Sequence, residues 1–260
     1  MRMGVGYNVF NGLELLKPSI LSVRDFSRWI VVVYSERAIT GEACPEYTVP
    51  LLMDLKKSGL VDQLIRVEHP ATDEPVKIQN EKRKKYEIAR QACLKKGCRH
   101  FMGRDCDEFL VEEDIRQAVE KYGDRGMVVC PALDYVQRPT MQARSTGLYH
   151  IPAFHKCGLP YRPVKSGVLL DLGRTCLTND FAVLKADELV VHHMTGVRYD
   201  DDELRRKFQG HSHFCRKGQG HSDKYVQHIS SLTEDSYEPV PDQFGVLEYW
   251  RDEFKQWHDG

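Results

Sequence analysis

Short apolar runs alternate with stretches of helical periodicity along the first half of the chain. Residues 5–10 have the length and composition of a strand, and Leu13, Leu16, Ile20 and Val23 recur at the spacing of one helix face over Leu13–Arg24. Trp29-Ile30-Val31-Val32-Val33-Tyr34 is an unbroken β-branched and aromatic run, as in a strand covered on both faces. A loop over 35–45, a helix over 46–58 stopped near Gly59 and a strand over 60–67 follow. Beyond a connector bounded by Pro70 and Pro75, residues 80–96 predict a helix with Ile88, Ala89, Ala92 and Cys93 on its apolar side, ended by Gly97. His100–Arg104 predicts a strand, Glu112–Tyr122 a helix and 126–136 a Val-rich strand.

Residues 137–185 break this alternation. Pro139, Pro152, Pro160 and Pro163, with several glycines, predict loops and short strands attached to the sheet. Helices are expected over 200–209 and, from aromatic spacing, within 244–257. The fold class predicted is α/β, a mostly parallel central sheet flanked by helices, followed by a loop-rich region and C-terminal helices.

Composition narrows the picture. At 260 residues, 41% hydrophobic and 29% charged, the chain suits one large or two small globular domains, and disorder as its main state is excluded. No run approaches the roughly 18 apolar residues of a membrane span. The opening Met1-Arg2-Met3-Gly4-Val5-Gly6 lacks a long apolar stretch with a cleavage pattern, so a cytoplasmic protein is expected. Eight dispersed cysteines with no CxxC pair predict reduced thiols. The net charge of -1 hides an asymmetry: residues 77–104 hold ten Lys/Arg against two Asp/Glu, and residues 232–260 hold two against eight. The basic stretch suits either an anionic ligand or a solvated helix face.

The chemistry concentrates at Asp105-Cys106-Asp107, with Glu108 behind it, directly after an apolar strand. Carboxylates on alternate residues of a turning segment can converge on one hard divalent cation, Mg or Mn. The carboxyl end of a strand is where an open α/β sheet keeps its ligands. Asp200-Asp201-Asp202, by contrast, reads as a solvated helix start. His192 and His193 follow the apolar run Leu189-Val190-Val191, and as strand neighbours they face opposite sides, so at most one is a ligand. His211, His213, Cys215, His221 and His228 fit no established zinc spacing, and with Arg205, Arg206, Lys207, Arg216 and Lys217 the stretch suits contact with an anion.

Four segments, Tyr7-Asn8-Val9-Phe10-Asn11, Ile30 to Tyr34, Asn80-Glu81-Lys82-Arg83 and Asp105-Cys106-Asp107-Glu108-Phe109, together resemble the nucleotide-sugar glycosyltransferases of the GT-A fold, family 2 type, over about residues 4–136. The resemblance implies that Asp107 binds Mn2+ or Mg2+, and that Asp105 shares the metal or contacts the sugar or ribose. It implies a further metal ligand at His193 or His192, donor contacts from Arg83 and Lys82, and a nucleotide pocket lined by Tyr7 and Asn8. Arg104 departs from the small or apolar residue usual before the acidic triplet: either an added contact or an exposed strand end. No motif fixes the base that would activate an acceptor; Asp180 and Asp134 are the candidates. Residues 1–136 are expected to form the nucleotide-sugar-binding half and 137–260 the acceptor-binding and C-terminal part of the same domain.

The function implied is metal-dependent transfer of a sugar from a nucleoside diphosphate donor, foremost a UDP-sugar, to a hydroxyl on a glycan or on a hydroxymethylated DNA base. Two competitors remain. A nucleotidyltransferase would need a Gly-rich phosphate loop, for which Gly4-Val5-Gly6 is too short. A non-catalytic nucleic-acid-binding protein would use the basic stretch but leaves the paired aspartates unexplained. Neither the sugar nor the oligomeric state is legible.

Overall fold

The computed structural model describes residues 2–72, 74–143, 149–162, 169–171, 173–209 and 237–258. The elements run β1 (Met3–Val9), α1 (Leu13–Arg24), β2 (Ser27–Tyr34), α2 (Thr48–Lys57), β3 (Gln63–Arg66), α3 (Pro75–Lys95), β4 (His100–Arg104), β5 (Glu108–Phe109), α4 (Glu112–Tyr122) and β6 (Met127–Gln137). There follow β7 (Met141–Ala143), β8 (Tyr149–Lys156), β9 (Leu169–Leu170), β10 (Phe181–Val183), β11 (Val191–Val197), α5 (Asp201–Gln209), β12 (Tyr237–Pro239) and α6 (Val246–Tyr249). A π-helical turn, Trp250–Phe254, continues α6 into α7 (Lys255–His258).

The main sheet path is β12-β7-β6-β8-β4-β1-β2-β3. β3, β2, β1 and β4 are mutually parallel, while β8 lies antiparallel between β4 and β6. β6 therefore runs in the same direction as β4. This is the expected α/β architecture, a mostly parallel central sheet flanked by helices.

β2 shows why its apolar run is continuous. Ile30 and Val32 enter the core under α1 and α2, with Leu16, Ile20, Leu51 and Leu55. Val31 and Val33 face the opposite layer, where Tyr86, Ala89 and Cys93 of α3 pack. The C-terminal helical segment closes the first layer: Phe254 is fully buried and Trp250 Nε1 donates to the Glu14 carbonyl at 2.8 Å. Among the described residues no helix is long and apolar enough to cross a membrane.

Two expectations need correction. α3 begins at Pro75, not near residue 80, because proline at the first helical position has its φ preset and gives up an N–H that would be unpaired there anyway. The region after 137 also supplies more than short peripheral strands, since the eight-residue β8 sits in the middle of the sheet. Pro152 is tolerated there because it lies opposite Val129, where the β6–β8 register shifts.

Gly4 and Gly6 lie inside β1, where they let α3 and its neighbours approach. A Cβ on Gly6 would come within 2.5 Å of the Phe101 ring and 2.6 Å of Ala89 Cβ; one on Gly4 would meet Cys93 Cβ at 2.5 Å. Gly6→Ala is expected to lower stability by about 1–3 kcal/mol through overpacking. Urea denaturation checks this, and an unchanged midpoint would mean that α3 does not pack this closely.

Candidate active site

A pocket opens at the carboxyl edge of the parallel strands, where crossover sheets keep their ligands. Asn8, Phe10, Asn11 and Gly12 line it after β1, Ala38 and Ile39 after β2, and Asp105, Cys106 and Asp107 after β4. Ile78, Lys82 and Lys85 come from α3, His193 and Thr195 from β11, Arg198 from just beyond it, and Lys207 from α5.

Local backbone pairing assembles the acidic end. The chain turns after β4, with Glu108 N donating to the Asp105 carbonyl at 3.3 Å. β5 then pairs antiparallel with β11, matching Glu108 to His193 and Phe109 to His192. Met194 N donates to the Asp107 carbonyl at 2.7 Å. Two segments far apart in sequence are thus locked side by side, with Asp107 Oδ1 3.9 Å from His193 Nε2. His193 Nδ1 hydrogen-bonds Asp134 Oδ1 at 2.8 Å, which leaves Nε2 directed at Asp107. His192 points away. Its Nδ1 meets the Tyr135 hydroxyl at 2.8 Å, and burial lowers its pKa to about 4.

Asp107 is buried and heavily compensated. Its Oδ2 accepts from Arg198 Nη2 at 2.9 Å and from Lys207 Nζ. Burial raises its pKa, but Lys207, His193 and Arg198 outweigh that and hold it well below the usual range. For His193 burial works downward, and the Asp134 hydrogen bond and the Asp107 charge carry the net shift upward. Asp105 has different partners: Lys82 Nζ at 3.0 Å on Oδ2 and the Tyr86 hydroxyl on Oδ1. Burial raises the Asp105 pKa, and Lys82 and Arg174 bring it below its ordinary value.

The Asp107–His193 pair fits a hard divalent cation. A carboxylate oxygen and an imidazole nitrogen face one another, and the other ring nitrogen is fixed by a carboxylate, as is common behind metal-bound histidines. Among the described residues no group of three or more His, Cys, Asp or Glu is placed to hold a metal. The pair would supply two protein ligands, the rest of an Mg2+ or Mn2+ shell falling to phosphate oxygens and water. Asp105, which also lines the pocket, is engaged by Lys82 and Tyr86 rather than set against His193.

The remaining residues that the sequence singled out separate clearly. Asn8 and Lys82 line the pocket. Tyr7 does not: it is fully buried in the core with its hydroxyl 3.1 Å from Ser19 Oγ, because alternate residues of β1 face opposite sides. Arg83 turns to the outer side of α3, where its Nη1 donates to Asn80 Oδ1 at 2.9 Å. Asp180 stands at the opposite edge of the sheet, before β10 and beside the start of β6, accepting from Gly126 N at 3.0 Å and Arg125 Nη1 at 3.1 Å. Asp134, on β6, reaches the site through His193. Asp200 caps α5 by accepting from Glu203 N at 2.8 Å, as its triplet predicted. The His/Cys stretch from His211 to His228 lies outside the described residues.

The basic segment divides: Lys77, Lys84, Lys95, Lys96 and Arg99 are exposed, while others turn inward. Lys82 and Lys85 face the pocket, Arg90 is buried, and Arg104 is fully enclosed rather than an exposed strand end. Arg104 Nη1 lies 3.5 Å from Glu108 Oε2, which also accepts from Arg174 Nη1 at 2.6 Å. Arg174 Nε in turn donates to Asp171 at 2.7 Å. Neither Asp171 nor Arg174 belongs to any legible motif. Glu14, also missed, was signalled by its position between Leu13 and Leu15 on an apolar helix; it is completely buried, 3.2 Å from Arg198 Nε.

No known family profile matches the chain, and no curated protein does. Among solved structures, S. aureus TarS 1-349 is 11% identical over 88% of this chain and 71% of that one, with a TM-score of 0.45. TarS 1-349 in complex with UDP is 10% identical over 88% and 71%, at 0.43. The same protein in complex with UDP-GlcNAc is 11% identical over 88% and 72%, at 0.44. The functional reading accordingly rests on the site itself.

The buried charges generate two expectations. Glu108→Gln leaves Arg104 without its buried countercharge and Arg174 with Asp171 alone, and a loss of about 3–5 kcal/mol is expected in urea denaturation; a change below about 1 kcal/mol would mean the arginines are not held by Glu108. Burial raises the Glu14 pKa from 4.5 to about 7 against the opposing pull of Arg198. Between those values the folded chain holds a proton that the unfolded chain releases, so this contribution is full below about 4.5 and lost as pH rises through about 7. The stability of the unaltered protein relative to Glu14→Gln should therefore fall from pH 5 to pH 8, and a flat difference would contradict the shift.

Proposed function

We propose that the protein is a glycosyltransferase that takes a sugar from a nucleoside diphosphate donor. The observation carrying this is one pocket, at the carboxyl edge of a parallel sheet, that combines four cations, Lys82, Lys85, Arg198 and Lys207, with the Asp107–His193 pair. A diphosphate supplies the negative charge that this lining calls for and the oxygens that a two-ligand metal site lacks. Asp107 and His193 would hold Mn2+ or Mg2+, which when bound supplies positive charge against the diphosphate as the glycosyl bond breaks.

The chain's own residues supply the rest. Arg198 and Lys207, already at Asp107, stand ready to donate to phosphate oxygens, and buried cations are pre-oriented for charge that develops on a leaving group. Lys82 is braced by Asp105, and Asp171 lies 4.0 Å from it. In the reaction the bond between the sugar's anomeric carbon and the phosphate oxygen breaks, a bond to the acceptor oxygen forms, and the acceptor's proton passes to a base. Asp134, hydrogen-bonded to His193 and with its side chain 40% exposed, is the nearer to the site of the two carboxylates considered for that role. Asp180, at the opposite edge, is not.

A glycan hydroxyl suits the acceptor better than a DNA base. Lys82 and Lys85 reach the pocket, where a diphosphate accounts for them, Arg90 and Arg104 are buried, and the exposed Lys77, Lys84, Lys95, Lys96 and Arg99 are read as a solvated face of α3 and its end. The nucleotidyltransferase reading weakens for a similar reason, since Gly4 and Gly6 are committed to packing within β1.

The test is nucleoside diphosphate release from a panel of UDP-, GDP- and CDP-sugars, with and without Mn2+. Release from one donor, dependent on the metal and reduced at least about 100-fold in Asp107→Ala, is the expected result. No release, together with no metal-dependent donor binding in calorimetry, would refute the proposal.

A further inference from the structure

The pocket has two chemically different ends, and strand order separates them. Asp105, Asp107, His193, Arg198 and Lys207 gather at the ends of β4 and β11 and on α5. Toward β2 and the start of α3 the lining is apolar, with Ala38, Ile39 and Ile78, apart from one charge: Lys85. A nucleoside diphosphate is likewise two-ended. With its phosphates at the cations and Asp107, its base would be left for the apolar end that Ile39 and Ile78 line.

Lys85 is unusual for its setting. It is 4% exposed, and among the described residues no carboxylate lies within ion-pair distance of it. Its one hydrogen-bond partner among them is Ser35 Oγ at 2.9 Å. That hydroxyl donates its own proton to the Arg37 carbonyl at 2.8 Å, so toward Lys85 it serves as an acceptor. His69 Nε2, 3.2 Å from the same oxygen, adds to the anchor. An ammonium has three N–H donors, so two remain for the pocket that Lys85 lines. A buried cation with unfilled donors is costly to keep unless a ligand atom fills them. Burial accordingly lowers its pKa to about 8, against the pull of Glu81 and Asp105.

We propose that Lys85, seated on Ser35 at the apolar end of the pocket, donates to O4 of a uracil base and so selects a uridine over a cytidine diphosphate. Uracil presents an acceptor, O4, where cytosine presents an amino donor, and an ammonium cannot pair with a donor. This rests on the nucleoside diphosphate reading of the site but goes beyond it by assigning base choice to one residue.

Calorimetry of UDP and CDP with the full chain in Mg2+ tests it, using the unaltered protein, Lys85→Met and Ser35→Ala, each checked for an unchanged circular dichroism spectrum. The expected result is UDP binding at least about tenfold tighter than CDP, with Lys85→Met removing most of that preference by weakening UDP alone. Ser35→Ala, which keeps the ammonium but loosens its seat, should reduce the preference partway, and it carries the test if Lys85→Met does not fold. Equal affinities in the unaltered protein, or an equal loss of UDP and CDP in Lys85→Met, would overturn the inference, the second placing Lys85 on the phosphates. Binding of neither nucleotide would overturn this inference, and the donor reading beneath it as well if GDP is not bound either.

Discussion

The site depends on the pairing of β5 with β11. Two residues of β5 suffice to set His193 opposite Glu108 and to bring the Met194 amide onto the Asp107 carbonyl. Everything reactive in the pocket is referenced to that contact. Asp107 follows β4 by a tight turn, His193 arrives on a strand paired in parallel with β6, and Arg198 and Lys207 come from the chain that continues beyond it. A register slip of one residue would present His192 in place of His193 and turn the imidazole that Asp134 orients into the core.

Beneath that contact lies a closed set of charges. Glu108 holds Arg104 and Arg174, Asp171 shares Arg174 and lies 4.0 Å from Lys82, and Lys82 braces Asp105. Glu14 stands behind Arg198 on the other side of Asp107. Buried ion pairs contribute little net stability but are costly to break singly, so such a network fixes geometry more than it stabilises the fold. It prepares the pocket to accept anionic charge without large rearrangement, the property a diphosphate site requires.

Much of the sheet was legible because its strands are covered on both faces and its helices carry one apolar side. The Trp29–Tyr34 run and the Leu13 to Val23 spacing both correspond to elements in place. The acidic triplet was legible from its position after β4, and the choice between His192 and His193 followed from strand alternation once β11 was seen to pair with β5. What escaped was long-range charge pairing. Asp171, Arg174 and Arg198 sit in segments with no periodicity, and their partners are set by tertiary contact alone. Tyr7 and Arg83 were misplaced for the opposite reason: motif proximity pointed to the pocket, but side-chain direction on β1 and α3 carries both away from it.

The central claim is that Asp107 and His193 form the metal and diphosphate end of a nucleotide-sugar pocket. The most direct measurement is a crystal structure of the protein soaked with UDP and Mn2+, with anomalous data collected for manganese. The account predicts one manganese peak bonded to Asp107 Oδ1, His193 Nε2 and the diphosphate, with Arg198 and Lys207 on the phosphates and Asp105 still held by Lys82. Manganese and nucleotide bound elsewhere, or a diphosphate seated away from Asp107, would contradict it.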